Sequence, residues 1–344
     1  MINTKLYTIT SPEADADKLA EAGRILREGG LVVFPTETVY GLGGNATDAE
    51  AARKIYAAKG RPSDNPLIIH VAEPRDAEAY AVTSALYYRL AAAFMPGPLT
   101  LILPKKDTIP LSVTGGLDSV AVRCPSHPIA HALIAAAGVP VAAPSANLSG
   151  KPSPTCASHV IDDLSGRVDM ILDGGACDIG LESTILKIDC DVPVLLRPGG
   201  ITYEQLCTVC GHVEIAAAVI GQLAPGERPL SPGMMYRHYA PATPLILVRG
   251  ERAAVTAYLR QRQAEGCGVL CYAEEADTLS AERRIILGHR DDPAEQAQHL
   301  FTALRDADAF GAPTLYAHYP DEHGMGLALC NRMLRAAAHQ VVEV

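Results

Sequence analysis

Tryptophan is absent from this chain of 344 residues, and the aromatic share is only 5%. Stacking platforms of the kind that hold single-stranded nucleic acid are therefore not expected. No run of about 18 apolar residues occurs, and the N-terminus lacks a charged and then apolar leader. Neither a membrane span nor a signal peptide is read. A basic excess is missing too: the net charge is −10, which argues against sequence-blind nucleic-acid binding by the whole surface. Lysine is scarce and ends at Lys187, so a cationic pocket that uses it must lie in the first two-thirds. No Gly-x4-Gly-Lys P-loop is present, and Gly41-Leu-Gly43 lacks the third glycine of a dinucleotide fingerprint. The nine cysteines are odd in number and irregular in spacing, unlike a disulfide framework. Cys207-Thr-Val-Cys210 with His212 has no second pair to complete a zinc site, and the compartment is read as reducing.

What is present begins with Lys59-Gly-Arg61, followed by Pro62 and Pro66 and by the apolar run Leu67–Val71. Read as extended chain, this segment points Lys59 and Arg61 to one side, suited to gripping polyphosphate as a point charge and a fork. Before it, the spacing of Leu19, Ala22, Ile25 and Leu26 predicts a helix over 14–28 that stops at Gly29-Gly30. Leu31–Phe34 reads as a buried strand that opens into a polar loop, Pro35–Gly44, carrying Thr36, Glu37 and Thr38. Asp48 is expected to cap a helix to about Ala58, and a further helix is predicted over 77–94. Strands follow near 99–103 and up to Arg123, with a helix over 126–137. Strands near 139–144, 170–172 and 183–188 and a short helix near 210 complete a first domain, 1–210. Polar groups gather where strands end, the usual ligand crevice of an open α/β sheet.

Residues 211–243, rich in Pro and Gly, read as a linker. Its Met234-Met-Tyr-Arg-His-Tyr239 is too rich for a spacer and is expected to fold over the first domain as a lid, Tyr236 reaching the ligand. From Pro244 the pattern is strand (245–248), helix (253–263), strand (268–272), strand (284–287), helix (293–310), strand (314–319) and helix (327–338). That makes a small α/β domain, 244–344, without an obvious catalytic cluster.

No Ser-His-Asp or Cys-His arrangement announces itself among the scattered histidines. His70 stands out because it follows the cationic turn on a strand, and Glu37 and Glu182 are candidate bases that sequence alone cannot pair. The first domain offers binding chemistry: the cations Lys59, Arg61, Arg123 and Arg197, the hydroxyls Thr36, Thr38, Ser145, Ser153 and Ser183, and the amide Asn147. That set suits a nucleotide with a small carboxylate ligand, turned over by positioning and charge stabilisation.

Lys59-Gly-Arg61 with Ser145-Ala-Asn147 resembles the KxR…SxN signature of the Sua5/YrdC/YciO family. Pro35-Thr-Glu-Thr-Val-Tyr-Gly-Leu42, Met95-Pro-Gly-Pro-Leu-Thr100 and Glu182-Ser-Thr-Ile185 are similar to other blocks of that family, and the linker with its appended domain is similar to the long Sua5 form. Met235 is the one visible departure. The resemblance implies a twisted mixed open sheet of YrdC type with flanking helices, plus a small three-layer, Rossmann-like C-terminal domain. It implies L-threonylcarbamoyladenylate synthesis from L-threonine, bicarbonate and ATP with Mg2+. The product would feed the N6-threonylcarbamoyl modification of adenosine 37 in tRNA through a downstream transferase machinery. Carried over, Lys59 and Arg61 are the catalytic cations. They and Asn65, Ser119, Ser145, Asn147, Ser153, Arg197 and Tyr236 resemble nucleotide contacts. Thr38, His70, Arg123, Ala143 and Ser183 resemble the threonine pocket, with Arg123 a fork for the carboxylate. No metal ligand is readable, and the expected location is the cytoplasm. A double-stranded RNA or tRNA-binding protein is the alternative, opposed by the charge and the lack of aromatics. A carbamoyl-transfer relative that matures hydrogenases would need an acylphosphatase module and zinc-finger Cys pairs, which the chain lacks.

Overall fold

A computed structural model describes residues 2–221 and 238–344. Tyr236 and most of the expected lid lie outside the described residues. Two compact units are present: residues 2–149, 154–178 and 182–221 in the first, and 150–153, 179–181 and 238–344 in the second.

The first unit is built on one mixed sheet of eleven strands. Across it run Lys5–Thr8, Met170–Asp173, Val32–Phe34, Gly41–Asn45, Val141–Ala142 and Ile68–His70, then Ser119–Arg123, Leu99–Pro104, Thr184–Lys187, Val194–Arg197 and Glu214–Ile215. The helix Ala16–Arg27 buries Leu19, Ala22 and Leu26 with Val32, Phe34, Met170 and Leu172 of the sheet. Ile129, Ala130 and Leu133 of the helix Pro128–Ala137 join the same core. Burying each of these large aliphatic side chains contributes about 1.5–3 kcal/mol, so this layer holds the site's strands rigid.

Four expectations are corrected. The glycines at the end of the polar loop form a fully buried strand, Gly41–Asn45, antiparallel to Val32–Phe34. A Cβ at Gly43 would stand 2.8 Å from Val141 Cγ1 and 2.9 Å from Phe34 Cε1, so close packing overrides glycine's poor strand propensity. The expected helix over 77–94 is a 3-10 turn, Pro74–Ala79, and a separate helix, Ala85–Phe94. Ser84 restarts it by accepting the Tyr87 N–H at 3.2 Å. The Lys59 segment is not extended: the helix Ala49–Lys59 ends on Gly60 in the left-handed conformation, φ 63°. Finally, residues 211–221 are not linker, because Glu214–Ile215 pairs with Val194–Arg197 and buries Val213, Ala218 and Val219.

The second unit carries a five-stranded, all-parallel sheet ordered Arg284–Gly288, Gly268–Tyr272, Leu315–His318, Leu245–Arg249, Val341–Glu343. Crossovers run one way from Leu245–Arg249 and the other way from Leu315–His318, which with the usual handedness puts helices on both faces, the expected three-layer arrangement. Arg252–Ala264 covers one face through Val255 and Leu259. No helix among the described residues is long and apolar enough to cross a membrane.

Candidate active site

Lys59 is the last residue of its helix and almost fully buried. Its ammonium donates to the carbonyl oxygens of Ser145 and Asn147, the latter at 2.6 Å, with Asn147 Oδ1 at 3.4 Å. Ser145 Oγ donates to Asn147 Oδ1, and the Ser149 N–H returns to the Lys59 carbonyl at 2.9 Å. The two motif halves, 86 to 88 residues apart, thus form one buried knot. The expectation that Lys59 serves phosphates alone meets a cation that also fastens the loop 145–149. Arg61 donates to the carbonyls of Asn65 (3.2 Å) and Pro66 (3.0 Å), which fixes the turn behind it. Asn65 is buried with its side-chain Oδ1 unpartnered, a polar atom in want of a donor.

A second cluster spans five adjacent strands, with Ser183 just before the start of the fourth. His70 and Arg123 are register partners on parallel strands, and Thr100 faces Arg123 across an antiparallel pair. Thr100 Oγ1 and Ser183 Oγ share a hydrogen bond of 2.7 Å. Arg197 donates through Nη2 to Ser183 Oγ (3.2 Å) and through Nε to its carbonyl (3.0 Å). All five side chains are buried. Arg197 therefore sits with the expected threonine group and not only with the nucleotide contacts.

The loop Pro35–Tyr40 completes this cluster. Thr36 and Thr38 do share a side, their hydroxyls 2.8 Å apart, through a turn in which Thr36 Oγ1 donates to the Val39 carbonyl. Glu37 reaches Arg123: Oε1 and Nη2 lie 2.8 Å apart, and both side chains are buried. Burial pushes the Glu37 carboxyl up, but the Arg123 guanidinium and backbone donors outweigh it and hold it below the usual carboxylate value.

Burial, reinforced by the positive charge of Arg123, pushes His70 down to about 3, so its imidazole is neutral. With Nδ1 donating to the Val141 carbonyl at 3.3 Å, Nε2 is left as an acceptor. The depressed value has a consequence for stability. The unfolded histidine takes up a proton below about 6.5, whereas the folded one does so only near 3. Its contribution is complete above pH 6.5 and is lost as pH falls, by at most about 1.4 kcal/mol per pH unit. His70→Gln is expected to flatten the acid limb of denaturant-measured stability between pH 6.5 and 4; an unchanged limb would assign that limb to another group.

Of the other expected residues, Ala143 is buried beside Gly41 and donates its N–H to the Ile68 carbonyl. Ser119 opens the strand that Arg123 closes, about 13 Å along an extended chain, and its register partner is Pro104. Ser153 is buried and belongs to the second unit. Sequence reasoning left Glu37 unpaired and passed over Thr100. A Thr-Glu-Thr loop was the only signal for the first, and strand register, which sequence does not show, places the second. Among the described residues no group of three His, Cys, Asp or Glu side chains converges as a metal site.

Residues 24–199 match the Sua5, YciO and YrdC family described as "telomere recombination", and residues 201–338 match the family "threonylcarbamoyl-AMP synthase, C-terminal domain". A threonylcarbamoyl-AMP synthase of Bacillus subtilis is 46% identical over 330 residues, covering 95% of this chain and 94% of that protein. One from Pyrococcus abyssi is 44% identical over 334 residues, covering 95% and 96%. The crystal structure of P. abyssi Sua5 complexed with L-threonine superposes with a TM-score of 0.90 at 42% identity, covering 99% of each chain.

Proposed function

The chain belongs to the Sua5–YciO–YrdC family, and we propose that it condenses L-threonine, bicarbonate and ATP into threonylcarbamoyl-AMP with release of pyrophosphate. The observation that carries the chemistry is the buried row Arg123, Thr100, Ser183, Arg197, in which two guanidiniums bracket a pair of hydroxyls. A small hydroxylated amino acid suits that row: its carboxylate takes the Arg123 fork, and its hydroxyl joins Thr38 and Ser183. Neutral His70 offers an acceptor without adding charge, and Ala143 is an apolar wall.

The nucleotide is assigned to the Lys59 knot, Arg61 and the unmet side-chain oxygen of Asn65, which can accept from an N–H or O–H of the nucleoside. Mg2+ is expected to enter as MgATP, held by phosphate oxygens and water, and no step is routed through a protein-bound metal. Threonine's amine adds to the carbon of bicarbonate, the C–N bond forming as a C–O bond breaks and water leaves, or adds to CO2 with loss of an amine proton; either route gives a carbamate. A carbamate oxygen then attacks the α-phosphorus of ATP, the bond to the bridging oxygen breaks, and pyrophosphate leaves with that electron pair. Fixed cations that stabilise the phosphate charge need no reorganisation at that moment. The product is proposed to pass to the machinery that modifies adenosine 37 of tRNA, in the reducing cytoplasm that nine free thiols suit.

Pyrophosphate release should need both threonine and bicarbonate. The assay omits each in turn from otherwise complete mixtures. Equal release without threonine would overturn the reading and leave an ATPase.

A further inference from the structure

Two cysteines beside the site take no part in this chemistry. Cys156 is the N-cap residue of the helix Ala157–Leu164 and is half-buried. Its Sγ lies 3.1 Å from Ser158 Oγ, and His159 favours its ionised form. The ring of His159 is held in turn by the Thr155 N–H, which donates to Nδ1 at 3.4 Å. Cys177 lies alongside, because its own N–H donates to the Thr155 carbonyl at 2.9 Å. That bond places Cys177 against the peptide that joins Thr155 to Cys156, and a disulfide requires Cα atoms about 4.4–6.8 Å apart. The Cys177 thiol also feels the charge of Cys156 directly.

The two thiols are chemically unequal. Burial works against ionising Cys156, but the hydrogen bonds of His159 and Ser158 outweigh it and bring the thiol to about 7. Burial holds Cys177 well above the ordinary thiol value. One sulfur is thus a ready nucleophile with access to solvent, and the other is a protonated reserve behind it. That asymmetry belongs to a reactive and a resolving cysteine. Elsewhere, Cys124, Cys271 and Cys330 are buried and pushed up, and exposed Cys190 is raised as well.

We propose that Cys156 and Cys177 form a hydroperoxide-responsive dithiol, in which Cys156 is oxidised first and Cys177 resolves it to a disulfide. The Cys156 thiolate attacks a peroxide oxygen; an S–O bond forms, the O–O bond breaks, and hydroxide leaves to be protonated to water. The Cys177 sulfur then attacks the sulfenic sulfur; the S–S bond forms, the S–OH bond breaks, and the thiol proton departs with that hydroxide as water. Two thiols and one hydrogen peroxide give one disulfide and two waters, with two electrons passing from sulfur to peroxide oxygen. The same segments brace the site loop: the Tyr40 N–H donates to the Pro154 carbonyl at 2.9 Å, and Tyr40 Oη to that of Gly175 at 2.6 Å. A bridge between 156 and 177 therefore acts on the loop that presents Thr36, Glu37 and Thr38.

The test treats the reduced full-length protein with a small excess of hydrogen peroxide, blocks free thiols and maps the peptides without reductant. A linked pair containing Cys156 and Cys177, reversed by dithiothreitol, is expected. Cys156→Ser should abolish it, and Cys177→Ser should leave Cys156 to proceed to the sulfinic acid. At pH 7, Cys156 should take up iodoacetamide about tenfold faster than Cys190. A wild-type product stalled as Cys156 sulfenic or sulfinic acid, a bridge mapped instead to Cys207 and Cys210, or no reaction overturns the proposal. Should a variant misfold, the wild-type peptide map is decisive by itself. The connection to the loop rests on the proposed function and has its own readout. Pyrophosphate release should fall on oxidation and recover on reduction in wild type but not respond in Cys156→Ser. Failure of the reduced enzyme to release pyrophosphate speaks against the function alone, since the peptide map does not depend on it.

Discussion

Lys59→Ala should lose both activity and stability, the first by roughly 30- to 1,000-fold. That range corresponds to removing a single pre-organised donor from a developing charge, about 2–4 kcal/mol. The stability cost comes from the other duty of the same ammonium. Without it the carbonyls of Ser145 and Asn147 are left in a buried site with no donor from residue 59. An orphaned buried acceptor costs about 1–3 kcal/mol, so a loss of roughly 2–6 kcal/mol is expected for the two. Arg61→Ala is the control, because Arg61 is only half-buried and grips carbonyls of its own turn. It should lose activity on a similar scale with a smaller fall in denaturation midpoint. If Lys59→Ala melts like wild type, the knot is not structural. If residual activity per folded molecule is unchanged, its charge serves only the fold.

That double duty also marks where sequence reading stopped. Helical periodicity ended the helix at about Ala58, one residue early, and the glycine that follows made Lys59-Gly-Arg61 look extended. Gly60 is instead the left-handed cap that turns the chain away and leaves Lys59 pointing inward. Buried strands with strong apolar runs, such as Val32–Phe34 and Ser119–Arg123, were legible from pattern alone. Lys5–Thr8 was not, being four residues of edge strand with little burial. Val194–Arg197 was missed because it is only four residues long and runs straight into Arg197-Pro-Gly-Gly200. The union of Lys59 with Ser145 and Asn147 rests on contacts between distant segments, and only the family resemblance placed them in one motif. Glu37 had no legible partner, since its meeting with Arg123 depends on strand register and on the path of a loop.

The pairing of Glu37 with Arg123 changes what substitution of the arginine should do. Were Arg123 a fork waiting only for substrate, Arg123→Ala would cost activity and little else. In the structure it neutralises a buried carboxylate. Removing one member of a buried ion pair costs about 3–5 kcal/mol, because the other charge is stranded. Arg123→Ala should therefore unfold far more readily than wild type, most of all above pH 5, where Glu37 is ionised in the unfolded chain. The sign follows from the lowered carboxyl: the pair stabilises the fold above the ordinary carboxylate value and loses that contribution as acid protonates Glu37. Arg123→Lys keeps the charge and should spare most of the stability. A lysine cannot present two parallel donors to a carboxylate while holding Glu37. Its threonine KM should rise by about tenfold or more, as expected for about 1.5–3 kcal/mol of charge-assisted hydrogen bonding, and the KM for ATP should change little. Substrate titrations of pyrophosphate release on Arg123→Lys decide the matter. An equal rise for both substrates would place Arg123 on the nucleotide, and no rise for either would leave it a counter-ion to Glu37 alone.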